Sequence, residues 1–219
     1  MSNRFAQLAF TPAVRHHQKV HGSDRAYLRM AAGPEERDRI GVDEAAFIAQ
    51  RDSFYLSTVS ETGWPYIQHR GGPRGFLRVL DEHTLGFADL RGNRQYITRG
   101  NLDHDGRVAL FLMDYAHQAR LKILGRARVV EDDPATLAAL AVEGYRGRPE
   151  RALLIDVEGF DWNCNQHIPQ LLPRRDVEEA LVTLHDRIAE LERENAGLRA
   201  GPDELADEAH KNAEEKAAG

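Results

Sequence analysis

Residues 64–102 read WPYIQHRGGPRGFLRVLDEHTLGFADLRGNRQYITRGNL, and three segments inside them decide the architecture. The first is an alternating run that carries Gln68, His69 and Arg70 and ends in Gly71-Gly72-Pro73. The second pairs two β-like runs, Gly75 to Leu80 and Thr84 to Ala88, across Asp81-Glu82-His83. The third is basic and amide-rich, with Arg91, Gly92, Asn93, Arg94, Gln95 and Arg99. Strands that end in glycine leave backbone N–H groups open to a ligand, because no Cβ stands in the way. Arginines just beyond such strand ends can grip a phosphate through a charge-assisted fork. The stretch therefore reads as the floor and phosphate clamp of a nucleotide-cofactor site.

Working outward, Phe54 to Ser60 alternates as a strand, and Glu61-Thr62-Gly63 turns it into the run Pro65 to His69, making a hairpin. Arg107 to Met113 is a strong strand. Ala119 to Val130 is another, with Arg120, Lys122, Arg126 and Arg128 on one polar face. Ala152 to Gly159 is the last. Helices are expected over Gly41–Asp52 with Asp43 as cap, within Asn93–Gly100, and over Pro134–Glu143. Consecutive β runs on short turns, with helices between and at the ends, argue for a mainly β protein with helices (α+β) built on an antiparallel barrel. Neither GxGxxG nor GxxxxGK[ST] occurs, which removes the standard dinucleotide and triphosphate loops.

Four segments follow: an irregular arm over 1–41, a barrel domain over 42–172, a heptad helix over 173–200 and a charged tail over 201–219. In the arm, Thr11-Pro12 is a helix start, and His17 and His21 share a helical face, though no carboxylate nearby completes a metal site. In the heptad helix, Val177, Leu181, Leu184, Ile188, Leu191 and Leu198 step by four and three, with Asn195 on the same seam. Such a seam suits a coiled coil, and a lone seam asparagine fixes register in two-stranded ones. Gly201-Pro202 is expected to stop it, and the Ala, Glu and Lys-rich remainder is expected to be weakly helical or disordered.

Composition sets limits on function. The 219 residues are 42% hydrophobic and 29% charged, as in a globular protein with a real core, and the net charge of −6 argues against a nucleic-acid binder. Cys164 is the single cysteine, so no disulfide or cysteine-zinc cluster forms within the chain. No run approaches the roughly 20 apolar residues of a membrane helix, and no signal core opens the chain, so no membrane partner is expected and the cytoplasm is the expected location.

The segments PYIQHRGGPRGFLRVLD, GFADLRGNRQYITRGNL, RLKILGRARVV and GFDWNCNQHIP together resemble the pyridoxamine 5′-phosphate oxidase-like flavoproteins, in the branch of predicted flavin-nucleotide-binding proteins. The resemblance spans roughly Phe10 to Pro169. It implies a split β-barrel of the FMN-binding type, a homodimer, and noncovalent FMN at the subunit interface. It puts Gln68, His69 and Arg70 along the flavin ring and ribityl chain, and Ala88 and Asp89 at a second ring-facing strand end. Asn93 and Arg94 fall where many relatives carry an Arg-Lys pair on the phosphate. Asn93 departs from that pair, so Arg70, Arg91 and Gln95 become candidates for the remaining charge. Arg120 falls near a position that reaches the cofactor from the second subunit. Trp162 matches an aromatic residue near the domain end, with Gln166 and His167 after it, and Arg70, Gln166 and His167 are the candidates for stabilising the reduced ring. The segment NCNQHIPQLLP stands where the true oxidase has an Arg-His pair, so the resemblance does not carry that activity over and leaves it open. The implied function is an FMN-dependent oxidoreductase acting on a small molecule, with no catalytic residue named. The alternatives are a non-catalytic flavin carrier or sensor, or the same barrel holding haem or a deazaflavin.

Overall fold

The computed structural model describes residues 3–142, 144–162 and 166–217, the last of these by backbone alone from 199 onward. Two compact units emerge, Met1–Gln170 and Leu171–Gly219. The first begins with three short helices, α1 (Asn3–Ala9), α2 (Pro12–Val20) and α3 (Asp24–Met30), where the sequence suggests an irregular arm. Each runs 7 to 9 residues, too short to show a clear period. Thr11 does cap α2, its side chain accepting from the Val14 N–H. Helix α1 is seated on the last strand at Gly159, where an added Cβ would come within 2.7 Å of the Phe5 nitrogen.

Next come α4 (Val42–Ala49), β1 (Ser53–Val59), β2 (Pro65–Gly71), β3 (Arg78–Asp81), β4 (Thr84–Leu90), α5 (Ile97–His104), β5 (Arg107–Asp114), β6 (Ala119–Val130), α6 (Pro134–Leu140) and β7 (Pro149–Trp162). The cap of α4 is Gly41 rather than Asp43: Glu44 Oε2 accepts from the Gly41 N–H at 3.0 Å. Helix α5 starts later than expected because Arg94 and Tyr96 both take left-handed backbone angles, φ 59° and 55°. Helix α6 is capped by Asp133, which accepts from the Ala135 and Thr136 N–H groups, and the expected end at Glu143 lies outside the described residues.

The seven strands form one sheet in the order β2-β1-β5-β6-β7-β4-β3, every neighbouring pair antiparallel. The sheet curls on itself. Phe54 on β1 meets Phe87 on β4 with ring centroids 5.3 Å apart, although four strand-to-strand steps separate them. Strand alternation explains the interior. In β1, β5 and β6 every second residue is buried, giving Phe54, Leu56, Leu110, Leu112, Leu121 and Ile123 to one core with Leu85, Leu153 and Ile155. The result is a split β-barrel with helices at its margins.

One buried polar contact fastens α5 to this barrel. Asn101 Nδ2 donates to Thr58 Oγ1 on β1 at 2.9 Å, both residues being buried. Asn101→Ala strands the Thr58 hydroxyl in the core and is expected to cost roughly 1–3 kcal/mol, read from denaturant unfolding. An unchanged midpoint at constant slope would count against this anchor.

The second unit is one helix, α7 (Arg174–Ala217). It continues through Gly201-Pro202, the expected stop. The Ala, Glu and Lys-rich segment beyond has high helix propensity, which favours continuation over disorder. Among the described residues no helix is long and apolar enough to cross a membrane.

Candidate functional site

β2 is an edge strand, paired only with β1, and its alternation sends Tyr66, Gln68 and Arg70 to one side and Ile67 and His69 to the other. The first set lines a basin with Asp89 and Leu90 at the end of β4, the 92–96 loop, the start of α5, and Glu150. The basin is small, about 70 Å³. Six residues singled out in the sequence come together there: Gln68, Arg70, Asp89, Asn93, Arg94 and Gln95.

Its deep wall is an ion cluster. Arg70 Nη1 lies 2.6 Å from Asp89 Oδ1, joining β2 to β4 across the barrel closure. Arg151 is Asp89's cross-strand neighbour on β7, its Nε 3.6 Å from Asp89 Oδ2. Arg151 also reaches Glu131 at 3.3 Å and Glu150 at 3.1 Å. Asp89 thus carries two largely buried guanidinia. The Nε atoms of both Arg70 and Arg151 are buried and make no hydrogen bond among the described residues.

The rim is the 91–99 segment. Arg94 Nε donates to the Tyr96 hydroxyl at 2.8 Å, and that bond pushes the guanidinium further above its already high range. Asn93 Oδ1 accepts from the Gln95 N–H at 3.3 Å, a local turn. Thr98 Oγ1 donates to Gln68 Oε1 at 2.7 Å, tying α5 to the edge strand. Arg99 meets Asp103 and Glu131, and those bonds, in that order, raise its pKa. The α5 N-terminus has no side-chain cap, and its first residues, Ile97 and Thr98, line the basin. Left-handed residues just before a helix start can gather N–H groups into an anion-binding concavity. At Gly92 an added Cβ would meet nothing within 4 Å, so the rim is open there.

The remaining singled-out residues stand elsewhere. Arg91 reaches Glu150 at 3.6 Å, beside the basin. His69 faces outward, edge-on to Tyr55 with centroids 5.7 Å apart. Ala88 lines a separate apolar cavity of about 150 Å³ with Phe76 and Leu140. Arg120 lies over the Phe111 ring at 5.6 Å. Trp162 Nε1 donates to Glu44 Oε1 at 2.8 Å and its ring packs edge-on against Phe47, so it binds α4 to β7. Gln166 and His167 are exposed, and Asn163, Cys164 and Asn165 lie outside the described residues.

Arg99, part of the basic segment, also lines the basin. Tyr96, Thr98, Glu150 and Arg151 join the site although the sequence did not single them out as ligands. The first two sit inside the opening stretch, and hydroxyls at a helix start after a basic loop were the available signal. Glu150 and Arg151 head the apolar run ALLI, and a charged pair at the mouth of a buried strand was theirs.

The outer side of β1, β2, β5 and β6 carries a different surface. Tyr55, Ile67, Phe111, Met113, Tyr115 and Leu124 border a broad apolar hollow of about 570 Å³. Tyr55 is 41% and Ile67 66% exposed, unusual for side chains of that size on one patch.

No curated protein matches the chain in sequence. Solved structures that align with it include HupZ of Group A Streptococcus, 19% identical over 60% of this chain and 99% of that one, with TM-score 0.47. An FMN-binding protein from Syntrophomonas wolfei aligns over 71% of this chain and 99% of its own, at 13% identity and TM-score 0.46. HutZ of Vibrio cholerae, a heme storage protein, aligns over 56% and 94%, at 14% identity and TM-score 0.39. The family model described as pyridoxamine 5′-phosphate oxidase matches residues 43–160, over half of the chain. The chain belongs to the pyridoxamine 5′-phosphate oxidase-like family of split β-barrels.

Proposed function

We propose that this protein binds FMN with its phosphate in the basin and acts as a flavin-dependent oxidoreductase on a small molecule. The observation that carries the reading is the rim. An exposed arginine and an uncapped helix N-terminus meet at two closely spaced left-handed residues, beside a guanidinium whose Nε has no hydrogen-bond partner among the described residues. Three guanidinia, Arg70, Arg94 and Arg99, line the basin against two carboxylates, Asp89 and Glu150. That balance suits a compact anion. Family membership supports FMN as the molecule that carries the anion.

The chain's own residues then have distinct tasks. Arg94 and the α5 amides hold the phosphate, and the helix dipole adds to them. Gln68, pinned by Thr98, fixes the edge strand along which the ribityl chain runs. Bound FMN supplies hydride transfer, and the protein supplies orientation and electrostatics. The apolar face around Tyr55, Ile67 and Phe111 is where a second copy packs in this reading. It brings Arg120, on the same face, toward the cofactor, so the functional unit is a homodimer.

One observation favours a second reading, a non-catalytic flavin carrier. The basin holds no histidine or cysteine among its described lining residues, and its one deep carboxylate is tied up by two arginines. Turnover of bound flavin with NAD(P)H and an acceptor separates the two.

The test starts with the absorbance of the purified protein and mass spectrometry of the ligand it releases. FMN is expected; haem, a deazaflavin or no ligand would overturn the assignment. Arg94→Ala is expected to weaken FMN binding roughly 10- to 100-fold, the loss of a charge-assisted fork, in a fluorescence titration of the stripped protein. Unchanged affinity would remove Arg94 from the clamp.

A further inference from the structure

Among the described residues the apolar seam of α7 has no partner within its own unit. Val177, Leu181, Leu184, Ile188, Leu191 and Leu198 are 39–76% exposed, and off this seam Val182 is the other exposed large apolar side chain among the described residues of the helix. With Leu181 and Ile188 as heptad a positions, Val177, Leu184, Leu191 and Leu198 are d positions and Asn195 is the third a. The seam has a definite end, because the next a position is Pro202. It is therefore about three heptads long, too short to stand well alone.

We infer that this seam is a homotypic interface: two copies of the chain pair through residues 177–198 as a parallel, in-register, two-stranded coiled coil. Two features of the sequence name the occupant. The first is Asn195. In a parallel in-register pair it faces its own copy, and the two amides satisfy each other, while Ile188 at a with leucines at d favours two strands. An antiparallel pair centred between Ile188 and Leu191 would set Asn195 against Leu184 and leave a buried amide unmatched. The second is charge. In a parallel pair each g position is matched with the e position five residues on in the other copy. Arg187 is then matched with Glu192, and Glu194 with Arg199, opposite signs both times. In the single helix Arg187 instead meets Glu190, one turn away on its own chain.

The inference is independent of the flavin site. The crosslink at 184 is read without any flavin, and flavin release is read without the helix, so the two ideas fail separately. The experiment uses the full chain with Cys164→Ser and Leu184→Cys under mild oxidation. A covalent dimer on a non-reducing gel is expected, and Leu198→Cys in the same background should give one too. Arg187→Glu puts like charges together and is expected to slow crosslinking several-fold. Adding Glu192→Arg to it should restore the rate, because the g and e charges have merely changed places. In the antiparallel pairing position 187 is matched with Glu194 instead. The double swap would then leave two acidic side chains opposed, and no rescue would occur. Failure of both thiols to crosslink, or no rescue by the double swap, overturns the inference.

Discussion

Asp89→Ala is expected to destabilise the barrel by about 3–5 kcal/mol, a fall in Tm of roughly 6–20 °C for a chain of this size. The reason is geometric. Asp89 sits between Arg70, Nη1 at 2.6 Å, and Arg151, Nε at 3.6 Å, and all three side chains are more than four-fifths buried. Removing the carboxylate leaves two guanidinia desolvated. Among the described residues Arg70 then keeps only the Phe87 ring, 5.7 Å away, and Arg151 keeps Glu131, Glu150 and the Tyr96 ring. The loss is concentrated on Arg70, which joins the edge strand β2 to β4, so the barrel closure should loosen first. Hydrogen exchange of the β2 amides is expected to rise before that of β6. Asp89→Asn keeps an acceptor for Arg70 but drops the charge, and should fall between the alanine variant and the parent. A Tm for Asp89→Ala within about 1 °C of the parent would mean that water already solvates these arginines, and the ion cluster would lose its structural role.

Much of this arrangement is legible in the sequence, for a physical reason that also marks its limit. β1, β5 and β6 each have one buried face, so period-two alternation writes them into the chain. Phe54, Leu56, Leu110 and Ile123 are found that way. The basin is legible because β2, β4 and the 91–99 loop are close in sequence, so local chemistry already gathers Gln68, Arg70 and Arg94. What alternation does not carry is which strands meet. Arg151 enters the site only through the β4–β7 pairing, and that register depends on contacts made across the whole barrel. Trp162 shows the same limit from the other side. Its place at the domain end is visible, but its orientation is set by Glu44 and Phe47 on a helix far earlier in the chain. Of the N-terminal helices only the start of α2, at Thr11-Pro12, is legible; α1 and α3 escape notice because each is short, and α1 buries only Phe5 and Ala6.

Those two residues lead to the other large effect. Lys122→Met is expected to cost about 3–5 kcal/mol, although Lys122 lies on the polar face of β6. Its Nζ is 2.5 Å from Asp161 Oδ2, on the facing residue of β7, and 5.0 Å from the Phe5 ring of α1. The Asp161 side chain is only 3% exposed, and its Oδ1 has no hydrogen-bond partner among the described residues. The lysine is thus the principal compensation for a carboxylate sealed beneath α1. Methionine keeps the length and the apolar stem but leaves that charge buried alone. The expected readout is a lower denaturant midpoint together with faster proteolysis near residues 3–9, because α1 is the lid over the pair. Adding Asp161→Asn removes the stranded charge and should recover more than half of the loss, whereas two independent defects would add. If Lys122→Met alone stays within about 1 kcal/mol of the parent, the pair is solvated enough to be of the weak surface kind, and α1 is held by its apolar contacts with β7 instead.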